Sequence, residues 1–170
     1  FPVVPFFHTW KAREYGVQSR FSELAGEINR GMPNYVVRRT MEALNGRKKA
    51  VNGSKILLLG LAYKEDVDDM RESPTFELMD LLEEQGAELS YYDPHISEVG
   101  PTRKHMNRCE MKSIEWSKEA IVDYDAVVIA TNHAAFNLSE LAEAADLIID
   151  TRNALEKSGV SAKKGQLVKA

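Results

Sequence analysis

Lys64 and Arg71 lie in a charged loop that follows directly on an apolar run, in the sequence KILLLGLAYKEDVDDMRESP from Lys55 to Pro74. An Ile- and Leu-rich run that ends at Gly60 reads as a buried strand. The loop after such a strand falls at the carboxyl edge of a sheet, where open α/β folds bind ligands. Cations there suit an anionic guest, lysine as a point charge and arginine as a planar fork. The loop closes at Ser73-Pro74, a capping residue followed by a first-turn proline, which turns the N–H groups of a helix start toward the same crevice. Both cations also admit a plainer reading, as exposed charges balanced by Asp66, Asp68 and Asp69.

Other chemistries have weaker footing. A dinucleotide fingerprint needs G-x-G-x-x-G at the first strand-to-helix turn, and this turn holds Gly60 alone before Pro74. Asp93, in Tyr92-Asp93-Pro94, stands where a ribose-binding acid can sit and equally where a strand turns before proline. Cys109 is the single cysteine, so no intrachain disulfide forms, and its neighbours Arg108 and Glu110 give no clear reason for an activated thiol. One cysteine fits a reducing cytoplasm. His8, His95, His105 and His133 lack metal-ligand spacing, and no metal is expected.

Composition sets the outer limits. At 170 residues, 44% of them hydrophobic and 28% charged, the chain suits one ordinary domain and an appendage. No apolar run approaches the ~18 residues of a membrane span, so no membrane partner is expected. The net charge of -4 argues against a nucleic-acid surface, which takes a basic face. The one basic cluster, Arg47-Lys48-Lys49, reads as a solvated helix end. The chain starts at Phe1 rather than Met and has no signal-peptide pattern, which reads as a piece of a longer protein.

The elements that must position these residues fall into three regions. Residues 1–18, with two prolines and clustered aromatics, read as an extended segment laid across another surface. Residues 19–46 carry apolar residues every three or four positions, from Phe21, Leu24 and Ile28 to Val36, Val37 and Leu44. That spacing predicts a long amphipathic helix whose stripe packs on the α/β domain and a partner helix; Pro33 either kinks it or divides it in two. From residue 51 strand and helix alternate, which implies a parallel sheet with crossover helices. Strands are expected at 55–60, 88–92, 126–130 and 146–150, and helices at 74–85, at 113–122 and from an Asn137 cap. Gly86 is a natural residue just past the first of these helices, and the tail from Leu155 carries little pattern.

Four stretches together resemble the C-terminal part of the UDP-glucose/GDP-mannose dehydrogenase family. They are GLAYKEDVDDMRESP from Gly60 to Pro74, Glu-Gln-Gly-Ala at 84–87, Tyr92-Asp93-Pro94, and Asp150-Thr151-Arg152-Asn153. The front end, PFFHTWKAREYG from Pro5 and FSELAGEINRGMPNYVV from Phe21, is similar to the branch that oxidises UDP-N-acetylhexosamines, UDP-N-acetylglucosamine among them. The resemblance implies a Rossmann-like α/β sheet (51–170) binding a UDP-sugar, preceded by a central helix (19–50) that pairs two copies into a homodimer. The NAD-binding domain would lie upstream.

In such enzymes the sugar C6 alcohol is oxidised to an aldehyde, held on a cysteine as a thiohemiacetal, oxidised by a second NAD to a thioester and hydrolysed to the acid. The resemblance places that cysteine just before Phe1-Pro2, so no catalytic residue falls in this chain, and alone it is expected to be inactive. Val4 stands where the family has an aspartate. Lys64 and Arg152 carry over as substrate contacts, with Tyr63 flanking the site through its backbone, and Arg71 as a residue reaching the cofactor across a domain interface. Two other readings stay open: a non-catalytic nucleotide-binding or assembly module, and a fragment acting on UDP-glucose.

Overall fold

The computed structural model describes residues 3–100, 108, 109 and 111–170, with the side chains of residues 3–6 left aside. Phe1, Pro2, His105 and Glu110 lie outside the described residues, as does the side chain of Val4. Five parallel strands, β1 (Lys55–Leu59), β2 (Glu88–Tyr92), β3 (Ala126–Ile129), β4 (Ile148–Asp150) and β5 (Leu167–Lys169), form one sheet in the order β2-β1-β3-β4-β5. Residues 56–59 of β1 are buried on both faces, as parallel strands sandwiched by helices must be. Ile56 and Leu58 face one cluster with Val36, Val37, Leu44, Phe76 and Met79; Leu57 and Leu59 face the other with Ile121, Leu141 and Leu155. The result is a three-layer, Rossmann-like α/β fold with helices on both faces.

Helix α3 (Pro74–Glu84) begins as its residues dictate. Ser73 accepts a hydrogen bond from the Thr75 N–H at 3.3 Å, and Pro74 occupies a position that needs no N–H. Ser73→Ala is expected to lower stability by about 1 kcal/mol, read as a shifted urea midpoint at unchanged slope. Gly86, at φ 85°, ends the helix in the left-handed region.

Several elements differ from the sequence reading. The extended segment expected over 1–18 is not seen in its described part: α1 (Val3–Glu14) is a helix. Pro5 lies in its first turn, where the N–H groups have no intrahelical acceptor, so the proline removes no bond. Helix α2 (Arg20–Gly46) runs through Pro33 as one helix rather than two. Its apolar stripe divides, with Val36, Val37 and Leu44 buried in the core near α3 while Phe21, Leu24 and Ile28 are exposed. The basic cluster is not simply solvated: Arg47 pairs with Asp146 and donates to the Gly165 carbonyl at 2.8 Å, and Lys49 reaches Asp125 at 2.6 Å. These contacts tie the end of α2 to the α/β domain. Helix α4 is shorter than expected, Lys118–Val122, because residues just before it bond to the sheet region instead. The Ile114 N–H donates to Tyr91 O, and Ser117 caps the helix by accepting from the Ala120 N–H. Helix α5 (Leu138–Ala144) starts at its Asn137 cap, and α6 (Ala154–Lys157) follows β4. Strand β5 escaped the sequence reading because a three-residue, partly exposed edge strand has too few positions to show alternation.

Candidate functional site at the carboxyl edge of the sheet

β1 connects outward to β2 on one side and is flanked by β3 on the other, so the strand order reverses between β1 and β3. At such a switch point, open α/β sheets bind ligands just outside the carboxyl ends of the strands. Four segments meet along this edge: residues 60–73 after β1, Asp93 after β2, 130–136 after β3 and 151–153 after β4. Gly60 turns out of β1 at φ 86°, and a Cβ there would lie 2.4 Å from the Thr131 carbonyl oxygen. Only glycine lets the two loops approach so closely. Thr131 in turn donates its hydroxyl to Ala62 O at 2.8 Å.

Asp93 anchors the beginning of the loop. Its Oδ2 accepts the Leu61 and Ala62 N–H groups at 2.6 and 3.0 Å, and its Oδ1 accepts those of His95 and Ile96. Burial pushes the Asp93 carboxyl upward, but the His133 hydrogen bond and the backbone donors from His95, Ala62 and Leu61 outweigh it, and its pKa lies below the ordinary value. Both oxygens are therefore committed within the chain, which does not fit a ribose-binding acid, while the bonds from His95 and Ile96 N–H form the turn expected before Pro94. A carboxyl depressed in the folded state stabilises the fold in full above its unfolded pKa of roughly 3.9, and that stabilisation is lost as pH falls through the folded value. Urea unfolding of wild type should therefore weaken on acidification below about pH 4, with a shallower slope in Asp93→Asn.

The loop brings three of the four predicted residues into one local cluster. Lys64 is exposed, its ammonium 5.4 Å from the Tyr63 ring centroid, and the Tyr63 N–H donates to Asp69 O. Arg71, 85% exposed, forks onto Asp69: Nε reaches Oδ1 at 2.9 Å and Nη2 reaches Oδ2 at 2.7 Å. The Arg71 guanidinium, aided by the charge of Lys64, holds the Asp69 carboxyl down at about 2. Arg71 thus presents its charge on the outer rim of the loop, partly balanced by Asp69. Arg152 comes from the other side of the switch point. Its N–H rests on the Asp150 carboxylate at 2.9 Å, and its Nε donates to Ala130 O at 2.6 Å, which seats the exposed side chain on the end of β3.

Two amide oxygens of this edge, Asn132 Oδ1 and Asn153 Oδ1, are buried without a donor among the described residues. Such acceptors suit a hydroxyl or N–H of a bound ligand. Asn153 holds φ 56°, an αL conformation that asparagine tolerates better than most residues. The edge therefore offers two exposed cations from opposite sides, with acceptors between strand ends, a set able to bind an anionic, hydroxyl-bearing molecule.

Sequence reasoning missed one grouping. Histidines without metal spacing are nonetheless gathered by the fold, and Asp66, His95 and His133 bring ligand atoms within 4.8 Å of one another. His133 is completely buried, and both ring nitrogens are engaged. Nε2 faces the Asp93 carboxylate at 3.1 Å, and Nδ1 accepts the Asp66 N–H at 3.0 Å. An acceptor-only carboxylate fixes the proton on Nε2, and the Nδ1 lone pair is spent on a backbone donor. The cluster reads as a hydrogen-bonded brace rather than a ligand set. Its one sequence signal was position: His133 follows a fully buried strand, β3, at the ligand-binding edge.

Comparison with known proteins gives this edge a context. Residues 57–157 match the model of the UDP-glucose/GDP-mannose dehydrogenase family, UDP binding domain. A UDP-N-acetyl-D-mannosamine dehydrogenase of Methanococcus maripaludis is 30% identical over 155 residues, covering 86% of this chain and 33% of that protein. A UDP-N-acetyl-D-glucosamine 6-dehydrogenase of Pseudomonas aeruginosa is 25% identical over 161 residues, covering 91% and 37%. The solved UDP-D-ManNAc dehydrogenase of Pyrococcus horikoshii superposes with a TM-score of 0.68 at 25% identity, over 87% of this chain and 32% of that one. The chain spans about a third of the length of the curated relatives it matches.

Proposed function

Because the chain belongs to the UDP-glucose/GDP-mannose dehydrogenase family, we propose that it is the UDP-binding, C-terminal part of an NAD-dependent nucleotide-sugar 6-dehydrogenase. The parent enzyme would oxidise the C6 alcohol of a UDP-N-acetylhexosamine to the uronic acid, in the manner of a UDP-N-acetylglucosamine 6-dehydrogenase. The observation that carries this reading is the pair of exposed cations, Lys64 and Arg152, set on either side of the β1/β3 switch point within the matched region.

Each residue has a distinct task in this account. Lys64 supplies a point charge to the diphosphate, and Arg152, seated on Ala130 O, supplies a directed guanidinium. Tyr63 flanks the nucleotide through its backbone. This grip on the remote part of the substrate orients the sugar carbon, which lies outside the chain's own groups, toward a cysteine expected just before Phe1. NAD accepts the hydride in this reaction class. It would be held chiefly by a separate domain, since this chain's first turn lacks the glycine fingerprint, and the exposure of Arg71 supports its reaching the cofactor across the interface. Asp69 keeps that arginine pointed. Helix α2, with Phe21, Leu24 and Ile28 exposed, is the surface through which the parent pairs into a homodimer. Among the described residues of this acidic chain, no helix is long and apolar enough to cross a membrane, and a cytoplasmic enzyme fits its single cysteine.

The sugar named for the relatives varies among N-acetylmannosamine, N-acetylglucosamine and glucose. Assay of the full-length parent with NAD and a panel of UDP-N-acetylglucosamine, UDP-N-acetylmannosamine and UDP-glucose tests the reading. It predicts about two NADH formed per uronic acid released, from an N-acetylated substrate. Preference for UDP-glucose would reassign the branch, and no NADH from any of the three would remove the enzymatic reading.

A further inference from the structure

The segment bearing Lys64 is an arch pinned at both feet, and the pins are two buried side chains from the loops after β2 and β3. At the first foot, the Leu61 and Ala62 N–H groups rest on Asp93 Oδ2, and Ala62 O accepts from Thr131. At the second, the Asp66 N–H rests on His133 Nδ1, while Asp66 Oδ1 accepts the Ala134 N–H at 2.9 Å. Between them stand Tyr63, Lys64 and Glu65. Asp93 and His133 are bonded to each other at 3.1 Å, so the two feet share one support.

We propose that His133 is a positioning residue for Lys64, and that protonation of its Nδ1 loosens the second foot of the arch, leaving the Ala134 N–H bond to Asp66 Oδ1 as its tie, and weakens the grip on the nucleotide. This rests on the reading that Lys64 contacts the diphosphate. Neutral His133 offers one acceptor, Nδ1, and one donor, Nε2, and each is matched by its partner. An added proton on Nδ1 abolishes the acceptor and sets two N–H donors against each other at 3.0 Å. The new donor has another acceptor within a short movement, Asp66 Oδ1 at 3.8 Å. Turning toward it exchanges a backbone anchor for a side-chain pair, and the backbone at Asp66 is already in the left-handed region at φ 57°.

The charged and titratable groups around the ring are few. Asp93 faces Nε2 from the end of β2, Asp66 faces Nδ1 from the loop after β1, and the His95 ring stands edge-on at 4.9 Å between centroids. His95 Nε2 also lies 3.8 Å from Asp66 Oδ1, so both rings stand beside the same carboxylate. The Phe136 ring covers a further side of His133 at 5.3 Å. The loss on protonation is geometric: the backbone donor of Asp66 loses its acceptor.

UDP-N-acetylglucosamine is the suitable probe, because its pyrophosphate diester does not titrate in the histidine range. Calorimetric titration of the wild-type chain from about pH 8 to about pH 5.5 should show affinity falling about tenfold as the acceptor is lost. In His133→Gln, which keeps a donor and an acceptor that do not titrate, the pH dependence should flatten; in His95→Gln it should persist. Lys64→Ala should weaken binding at both pH values and also lose the pH dependence. A His133→Gln profile parallel to wild type, in protein that binds and responds to Lys64→Ala, overturns the positioning role and leaves the nucleotide site intact. Absence of binding by wild type at both pH values overturns both. Side-chain 15N spectra of the wild-type chain give an answer that needs no variant: the Nε2–H tautomer at high pH is required, and an Nδ1–H tautomer contradicts the proposal.

Discussion

Lys64→Ala is expected to weaken binding of UDP-N-acetylglucosamine to this chain by about tenfold to a hundredfold, and Arg152→Ala by a similar factor. Each variant removes one charged partner from a diphosphate while leaving the supporting backbone bonds in place. The Lys64 side chain bears no structural load: it is exposed, and the arch beneath it is held by Asp93 and His133 through main-chain N–H groups. Loss of affinity without loss of stability is therefore the expected signature. Arg152 differs in one respect, because its Nε also bonds Ala130 O, and a small stability loss should accompany its removal. Arg152→Lys should recover little, since a point charge cannot hold the carbonyl and the ligand at once. The double variant should lose less than the sum of the two, because both groups act on one diphosphate. Calorimetry beside urea unfolding separates these effects. Unchanged affinity in both single variants would remove the site from this edge.

Gly60→Ala is expected to cost about 3 kcal/mol or more, the largest loss from one methyl group anywhere on this edge. Two penalties combine. The residue holds φ 86°, and the added Cβ would meet Thr131 O at 2.4 Å and Thr131 Cβ at 2.6 Å. Thr131 cannot retreat, since its N–H donates to Leu59 O and its hydroxyl to Ala62 O. Gly165→Ala is the control, with φ 77° and open space around the new methyl, and it should cost only about 1 kcal/mol of backbone strain. Urea midpoints of the two variants measure the difference. Equal losses would mean that the conformation alone matters and that the two loops are not closely packed.

The sheet was readable in the sequence because its strands are buried on both faces, which leaves runs such as KILLL and AVVI with no polar interruption. Ser73, Pro74, Gly86 and Asn137 marked helix ends through local chemistry that tertiary contacts did not override. Helix α1 went unread because prolines and aromatics suggest an extended path, whereas Pro5 lies in the one helical turn that tolerates it. Of the site, Lys64 and Arg71 were visible as cations after a strand. Arg152 emerged only through a family resemblance, since an arginine at a strand end has no distinguishing pattern. The brace of Asp66, Asp93 and His133 was not visible at all. Its members lie on three loops, and only the parallel order β2-β1-β3 brings them to one place.

The central claim is that a UDP-sugar binds at the β1/β3 switch point of this chain. Titration of 15N-labelled protein with UDP, followed by amide chemical shifts, tests it residue by residue. The account predicts saturable shifts at Tyr63 to Asp66, at Thr131 to Ala134 and at Thr151 to Asn153, with saturation moved to about tenfold or more higher UDP in Lys64→Ala. Shifts centred instead at the opposite edge of the sheet, around Lys55, Glu88 and Asp123, or no shifts at millimolar UDP, would contradict it.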